Sequence, residues 1–267
     1  MRLSVNIMEN VKSAKGFTLI ELLIALFVGG ILMAAIFSTY RVQQEVFTAQ
    51  DTVAEMQQNI RATMLLMMRE IRLAGYDPSG TDSGFEEYNL PAPTALRTGR
   101  IKFTLDANES GILFDGAAGD PPERIELGFS PVDDADGDGL ADTQDGSGVW
   151  DAKSFRRETD DDADDGDDTN VDWQGIAENI QAVEFVYVDT NGTPTTVPAD
   201  IRAIQISILA RAGRADPPSS NFVNTMTYTP ASGVPWDLNP GRAGNDAGDK
   251  FRRRLLITTI QCRNMGL

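Results

Sequence analysis

Lys15-Gly16-Phe17-Thr18-Leu19-Ile20-Glu21-Leu22-Leu23-Ile24-Ala25 opens an apolar run that lasts to Phe37. From Leu22 to Phe37 no residue is charged. The 21 residues from 17 to 37 are enough to cross a bilayer core of about 30 Å as a helix rising ~1.5 Å per residue. The segment before the run, residues 1–16, is polar and slightly basic, with Arg2, Lys12 and Lys15 against Glu9, and Arg41 follows the run. By the positive-inside rule the basic leader stays on the cytoplasmic side of a membrane, which places the bulk of the chain outside. An ordinary secretory signal has its small-residue cleavage site after the apolar stretch. Here the small residue, Gly16, comes first, so a cut after it leaves the apolar helix on the mature chain.

Glu21 needs its own explanation. An acidic residue at mid-bilayer is disfavoured by roughly 2.5–3.5 kcal/mol on insertion scales. It can sit in water at the interface, or be favoured by the positive end of the helix dipole. A cut after Gly16 adds a third option. The new α-amine on Phe17 then lies four residues away, about 6 Å along the axis. In a helix bundle, Glu21 of one copy can pair with the Phe17 amine of a neighbour.

Residues Lys15 to Ala25 closely resemble the type III signal sequence of type IV pilins and type II secretion pseudopilins. The resemblance implies cleavage between Gly16 and Phe17 by the prepilin peptidase, N-methylation of Phe17, and a role for Glu21 in subunit docking.

Beyond Tyr40 the pattern turns amphipathic. Val46, Val53, Ile60 and Met67 recur every seven residues, with Ala49, Met56, Met64 and Ile71 widening the stripe. Gly75, followed by Asp77-Pro78, is a stop signal. One helix from Phe17 to about Ala74 would be roughly 87 Å long. Gly29-Gly30 inside it reads either as a small-residue packing surface or as a segment able to unwind in a filament. The Met64, Met67 and Met68 cluster reads as core filler.

Downstream, short runs alternate at period two: Arg100–Leu105, Gly111–Phe114, Glu123–Phe129, Ala182–Val188, Ala203–Leu209 and Leu255–Ile260. They read as half-buried antiparallel strands, with Asp189-Thr190-Asn191-Gly192 as a turn. Residues 213–250, rich in Gly, Pro, Asn and Asp, read as a long surface loop. The expected fold is α+β: a long N-terminal helix, membrane-spanning in its first half, packed on an antiparallel β-sheet domain. The expected organisation is a cleaved leader (1–16), a transmembrane or filament-core half-helix (17–40), an amphipathic half-helix packing on the sheet (41–75), and a β-rich globular domain (76–267).

A charge of −17 argues against a nucleic-acid partner, because phosphate binding needs a basic face. Residues 131–172 alone hold fifteen Asp and one Glu against one Lys and two Arg. Histidine is absent, which removes the commonest general base and metal ligand. No nucleophile motif or Gly-rich phosphate loop is present, so the expectation is a protein that is not an enzyme. The single cysteine, Cys262, has no internal disulfide partner and reads as a small buried apolar residue at a strand end.

Within the acidic stretch, Asp134, Asp136, Asp138 and Asp142 occupy positions 1, 3, 5 and 9 of a D-x-D-x-D-G loop. Gly139 supplies the turn, Leu140 a carbonyl, and Asp145 stands at position 12, where a bidentate Glu is usual. The loop, residues 133–145, resembles the calcium loops of dockerins and thrombospondin-type repeats more than a sensor EF-hand, and calcium is the expected ion. The plainer reading is a solvated acidic loop, which is also the reading of Asp160–Asp168, where the regular spacing is missing.

The chain is also similar to the larger PilW-like minor pilins. That likeness rests on Met56-Gln57-Gln58-Asn59-Ile60-Arg61, on Glu70-Ile71-Arg72-Leu73-Ala74-Gly75-Tyr76-Asp77, and on Phe251-Arg252-Arg253-Arg254-Leu255 with Thr258-Thr259-Ile260 and Arg263-Asn264. It implies a minor subunit that initiates, assembles or caps a pilus. Its partners would be the prepilin peptidase, other minor and major pilins or pseudopilins, and an inner-membrane assembly platform. The chain would sit in the inner membrane with its bulk in the periplasm, then in a periplasmic or cell-surface filament. The J-type pseudopilin of type II secretion shares the long helix and the strand pair near 182–209 and is the alternative. A membrane-tethered calcium-binding adhesin is a second alternative, and it would have no need of Glu21.

Overall fold

The structure, a computed structural model, describes residues 16–80, 83–85, 98–113, 121–143, 151–160, 173–217, 220–238 and 248–265. Its element order is α1 (Leu19–Ile71), β1 (Ile101–Thr104), β2 (Arg124–Gly128), β3 (Lys153–Asp160), β4 (Gln174–Val188), a short 3₁₀ turn (Pro198–Asp200), β5 (Ala203–Arg211) and β6 (Arg253–Gln261). The chain divides into two compact units, 1–48 and 49–267.

In the first unit α1 is long and apolar enough to cross a membrane, and Leu22, Ile24, Phe27, Ile31 and Phe37 are all exposed. A helix apolar around its whole circumference is stable only in lipid or among other helices.

In the second unit the remaining turns of α1 bury Met56, Ile60, Met64, Met67 and Ile71 in the main core, at spacings of three and four. The stripe expected from Val46 onward becomes fully buried only at Met56. Val53 is half-buried and Val46 is exposed. The helix ends at Ile71, and residues 72–75 turn out of it. Gly75 adopts φ +69°, the left-handed conformation that closes many helices, and donates its N–H to Thr104 O at 3.1 Å.

The six strands form one antiparallel sheet in the sequential order β1-β2-β3-β4-β5-β6. Each strand therefore pairs with its neighbour in the chain, which is the simplest connectivity available to antiparallel strands. One face packs under α1 through Phe103, Ile125, Leu127, Phe155, Phe185, Ile204, Ile206 and Ile208. The opposite face carries two smaller clusters, one around Ala182, Leu209, Tyr228, Trp236 and Leu238, the other around Val186, Val188 and Ala203.

Four findings differ from the sequence reading. Residues 111–113 of the expected strand Gly111–Phe114 are bend and turn, and Phe114 lies outside the described residues. β3 was not expected at all. Among its described side chains only Phe155 is fully buried, and its cations make ion pairs instead: Arg157 with Glu70 of α1 at 3.6 Å, and Lys153 and Arg156 with Asp133 at 3.7 and 3.8 Å. β4 begins eight residues before the expected Ala182. A register shift between Ile180 and Ala182 inserts one residue there, so Ile180 faces the α1 core while Ala182 faces the other side. Finally, the described parts of 213–250 are not merely surface. Tyr228, Trp236 and Leu238 are buried, Ser232 donates to Glu184 through both its N–H and its hydroxyl, and Ala231 N–H donates to Ser207 Oγ.

Candidate functional site: the helix start and the acidic loop

Two places hold the residues singled out by the sequence. The first is the start of α1, where Gly16, Phe17 and Glu21 are all exposed. Thr18 joins them, a residue the sequence reading passed over. Thr18 N–H and Thr18 Oγ1 each lie 3.0 Å from Glu21 Oε2, and Glu21 N–H donates to Thr18 Oγ1 at 3.3 Å. Thr18 O accepts the first helical bond, from Leu22 N–H at 3.2 Å. Together these bonds make a reciprocal capping box: Thr18 is the N-cap and Glu21 the third helical residue. Its T-x-x-E signature stood in the sequence. The carboxylate that seemed out of place in an apolar helix thus satisfies the otherwise unpaired N–H that precedes it.

The second place is the acidic loop after β2. Asp134, Asp136 and Asp138 each bring a carboxylate oxygen within 4.8 Å of the others. Asp134 is wholly buried, while Asp136 and Asp138 are exposed. The loop closes on itself: Asp134 Oδ2 accepts from Gly139 N–H at 3.0 Å, Asp136 Oδ1 from Asp138 N–H at 3.2 Å, and Asp138 Oδ1 from Leu140 N–H at 2.7 Å. Gly137 and Gly139 take φ of +69° and +85°, which only glycine adopts without strain. Among the described residues, Asp134 Oδ1 has no hydrogen-bond partner. Burial, reinforced by the nearby Asp138 carboxylate, pushes the Asp134 carboxyl up to about 7. A buried oxygen without a donor, beside two further carboxylates, is an arrangement that a hard cation with oxygen ligands would complete.

The other expected ligands are placed differently. Asp142 Oδ2 accepts from Ala135 N–H at 2.6 Å, clasping the two ends of the loop. Leu140 forms an isolated bridge to Ala182 of β4. Asp145 and the run 161–168 lie outside the described residues. Asp133, at the start of the stretch, is held by Lys153 and Arg156 and is not among the three clustered carboxylates.

A family profile described as a prokaryotic N-terminal methylation motif matches residues 11–37. No curated protein matches the sequence. Among solved structures, a type IV-like pilin from Thermus thermophilus aligns with a TM-score of 0.40 at 12% identity, over 79% of this chain and 98% of that one. An N-terminal methylation motif thus stands at the start of a long apolar helix, and the last turns of that helix pack on an antiparallel sheet.

Proposed function

We propose that this protein is a PilW-like minor pilin that helps initiate, assemble or cap a type IV pilus, in a structural and non-catalytic role. The observation that carries this reading is the methylation motif leading into an apolar helix whose large hydrophobic side chains from Leu19 to Phe37 are exposed among the described residues. Such a surface calls for lipid before assembly and for other helices afterwards. In this reading residues 1–16 are removed by the prepilin peptidase, Phe17 becomes the methylated N-terminus, and residues 17–40 pass from the inner membrane into the filament core. The amphipathic half-helix, 41–75, carries the β-rich body, 76–267, into the periplasm or onto the cell surface. Glu21 docks against the Phe17 amine of a neighbouring pilin at the assembly platform.

The test is the composition of sheared filaments. Mass spectrometry is expected to find the chain beginning at Phe17, methylated, and present at far fewer copies than the repeating subunit. Gly16→Ala is expected to leave the leader attached and the protein out of filaments. Copies equal to the repeating subunit would overturn the minor role. A deletion strain with normal pili but blocked protein secretion would transfer the protein to the pseudopilins.

The second site supports a further element of this reading: Asp134, Asp136 and Asp138 take calcium, with Leu140, Asp142 and Asp145 as the other candidate ligands. The unpartnered Asp134 Oδ1 supports it. Calorimetric titration of the purified chain is expected to detect one calcium in the range of extracellular modules, about 10⁻⁴–10⁻³ M. Absence of binding at millimolar calcium leaves a plain acidic loop.

A further inference from the structure

The acidic loop is also a piece of the sheet. β3 pairs with β4 only from Gln174 to Ile180, whereas β5 pairs with β4 all the way to Val188. From Ala182 onward, β4 would therefore present a bare row of peptide groups on its β3 side. Short segments cover it: Thr195 N–H donates to Tyr187 O at 2.9 Å near the strand's end, and two others lie between Ala182 and Phe185. Thr98 exchanges both bonds with Phe185, N–H to O at 3.0 Å and the return bond at 2.8 Å. The acidic loop supplies the next position: Val183 N–H donates to Gly139 O at 2.9 Å, and Leu140 bridges Ala182.

These last two segments also hold each other. Gly99 N–H donates to Gly137 O at 2.8 Å. A Cβ on Gly99 would stand 2.3 Å from Gly139 N, and one on Gly139 would stand 1.9 Å from Val183 O. Backbone approaches this close fix the Gly137–Gly139 turn against both neighbours. The carboxylates that shape this turn are those of the cluster, with Asp134 bonded to Gly139 N–H and Asp138 to Leu140 N–H. Three carboxylates within 4.8 Å of one another repel when ionised, and one of them is buried with an oxygen that lacks a donor. A cation that neutralises them therefore acts on the turn that presents Gly139 O to Val183 N–H of β4 and Gly137 O to Gly99 N–H of the other covering segment.

We propose that calcium held by Asp134, Asp136 and Asp138 locks the open edge of β4, so that closure of the sheet between Val183 and Phe185 depends on the ion. This rests on the calcium reading given above. A chain exposed to millimolar calcium outside the cytoplasm would complete its sheet there. A chain kept from calcium would retain a strand edge able to pair wrongly.

Hydrogen exchange on the full chain in detergent micelles tests the proposal, comparing about 2 mM calcium with chelator plus magnesium. Chelation is expected to speed exchange at least tenfold in peptides containing Gly99, Val183 and Phe185, and to leave β6 (Arg253–Gln261) unchanged. Asp136→Asn and Asp138→Asn, both at exposed positions, are expected to show the chelated pattern even in calcium. If calorimetry detects calcium but exchange at Val183 and Phe185 does not move, the edge proposal fails and the metal reading stands. If exchange rises equally in every strand, the ion stabilises the whole domain and the edge proposal again fails. If no calcium binds, both fall.

Discussion

Thr18 and Glu21 cap one another: the threonine N–H and hydroxyl each reach one carboxylate oxygen at 3.0 Å, and the glutamate N–H returns a bond to the threonine oxygen at 3.3 Å. The same carboxylate is the group proposed to bind a neighbour's Phe17 amine. Within one chain it stabilises a helix start; between chains it would have to turn toward a charge. These two roles need different chemistry. A capping box accepts Gln at the third position as well as Glu, whereas pairing with an ammonium needs the negative charge. Glu21→Gln therefore separates them. The variant is expected to be processed and membrane-bound, with its helix start intact, yet absent from sheared filaments. Glu21→Ala is expected to lose its half of the box as well, the bonds to Thr18 N–H and hydroxyl, while the backbone N–H of residue 21 keeps its bond to Thr18 Oγ1. Quantitative immunoblotting of sheared filaments reads the result, and wild-type incorporation of Glu21→Gln would rule out charge pairing.

How much could be read in advance follows from how each segment hides its apolar surface. The apolar run from Phe17 to Phe37 and the strands with clean alternation, such as Ile204, Ile206 and Ile208, were legible because one period dominates them. β3 was not, because it offers a single fully buried apolar side chain, Phe155, and anchors itself by ion pairs to Glu70 and Asp133, which are distant in sequence. The first half of β4 was masked by the register shift at Ile180–Ala182, which breaks the alternation at the point where it would be counted. Tyr228, Trp236 and Leu238 lie too sparsely among Gly and Pro for any local pattern to reveal that they cover a sheet face. At the sites, the spacing of Asp134, Asp136 and Asp138 was readable. The burial of Asp134 was not, since it depends on the packing of Gly99 and Val183 against Gly139.

That burial gives the metal-free protein a pH dependence. With its carboxyl pushed up to about 7, Asp134 binds a proton more tightly in the folded chain than in the unfolded one. In chelator its contribution is fully favourable below about pH 4, is lost as the pH rises toward 7, and is flat above. The loss is roughly 2–4 kcal/mol at ~1.4 kcal/mol per tenfold change. Thermal melts in chelator are expected to show wild type falling relative to Asp134→Asn between pH 5 and pH 8, with calcium restoring the wild type alone at pH 8. Parallel curves for the two proteins would mean that Asp134 titrates like an exposed carboxylate.

Two glycines of similar backbone geometry are expected to respond very differently to alanine. Gly139 and Gly192 have φ of +85° and +77°, so each substitution carries the left-handed penalty, about 1 kcal/mol or somewhat more. At Gly192, in the turn after β4, an added Cβ meets nothing within 4 Å. At Gly139 it would overlap Val183 O, which is backbone and cannot move aside without breaking the edge pairing. Gly192→Ala is expected to lose about 1 kcal/mol and Gly139→Ala at least about 3 kcal/mol, as read by urea unfolding. Equal losses would show that the loop can withdraw from β4 without penalty.

Cys262 is a probe of the far end of the sheet. It follows β6, is buried, and donates its N–H to Arg202 O at 2.9 Å. Burial pushes its thiol up to about 12. Because the thiolate is the nucleophile, roughly a thousandfold fewer molecules are reactive at pH 8 than for an exposed thiol, and the reagent must also reach a covered sulfur. Maleimide is expected to label the native chain at least a hundredfold more slowly than the urea-unfolded chain, with the native rate tracking opening of β6. Native labelling within tenfold of the unfolded rate would place Cys262 at the surface. It would also remove the packing that ties the end of β6 to the segment before β5.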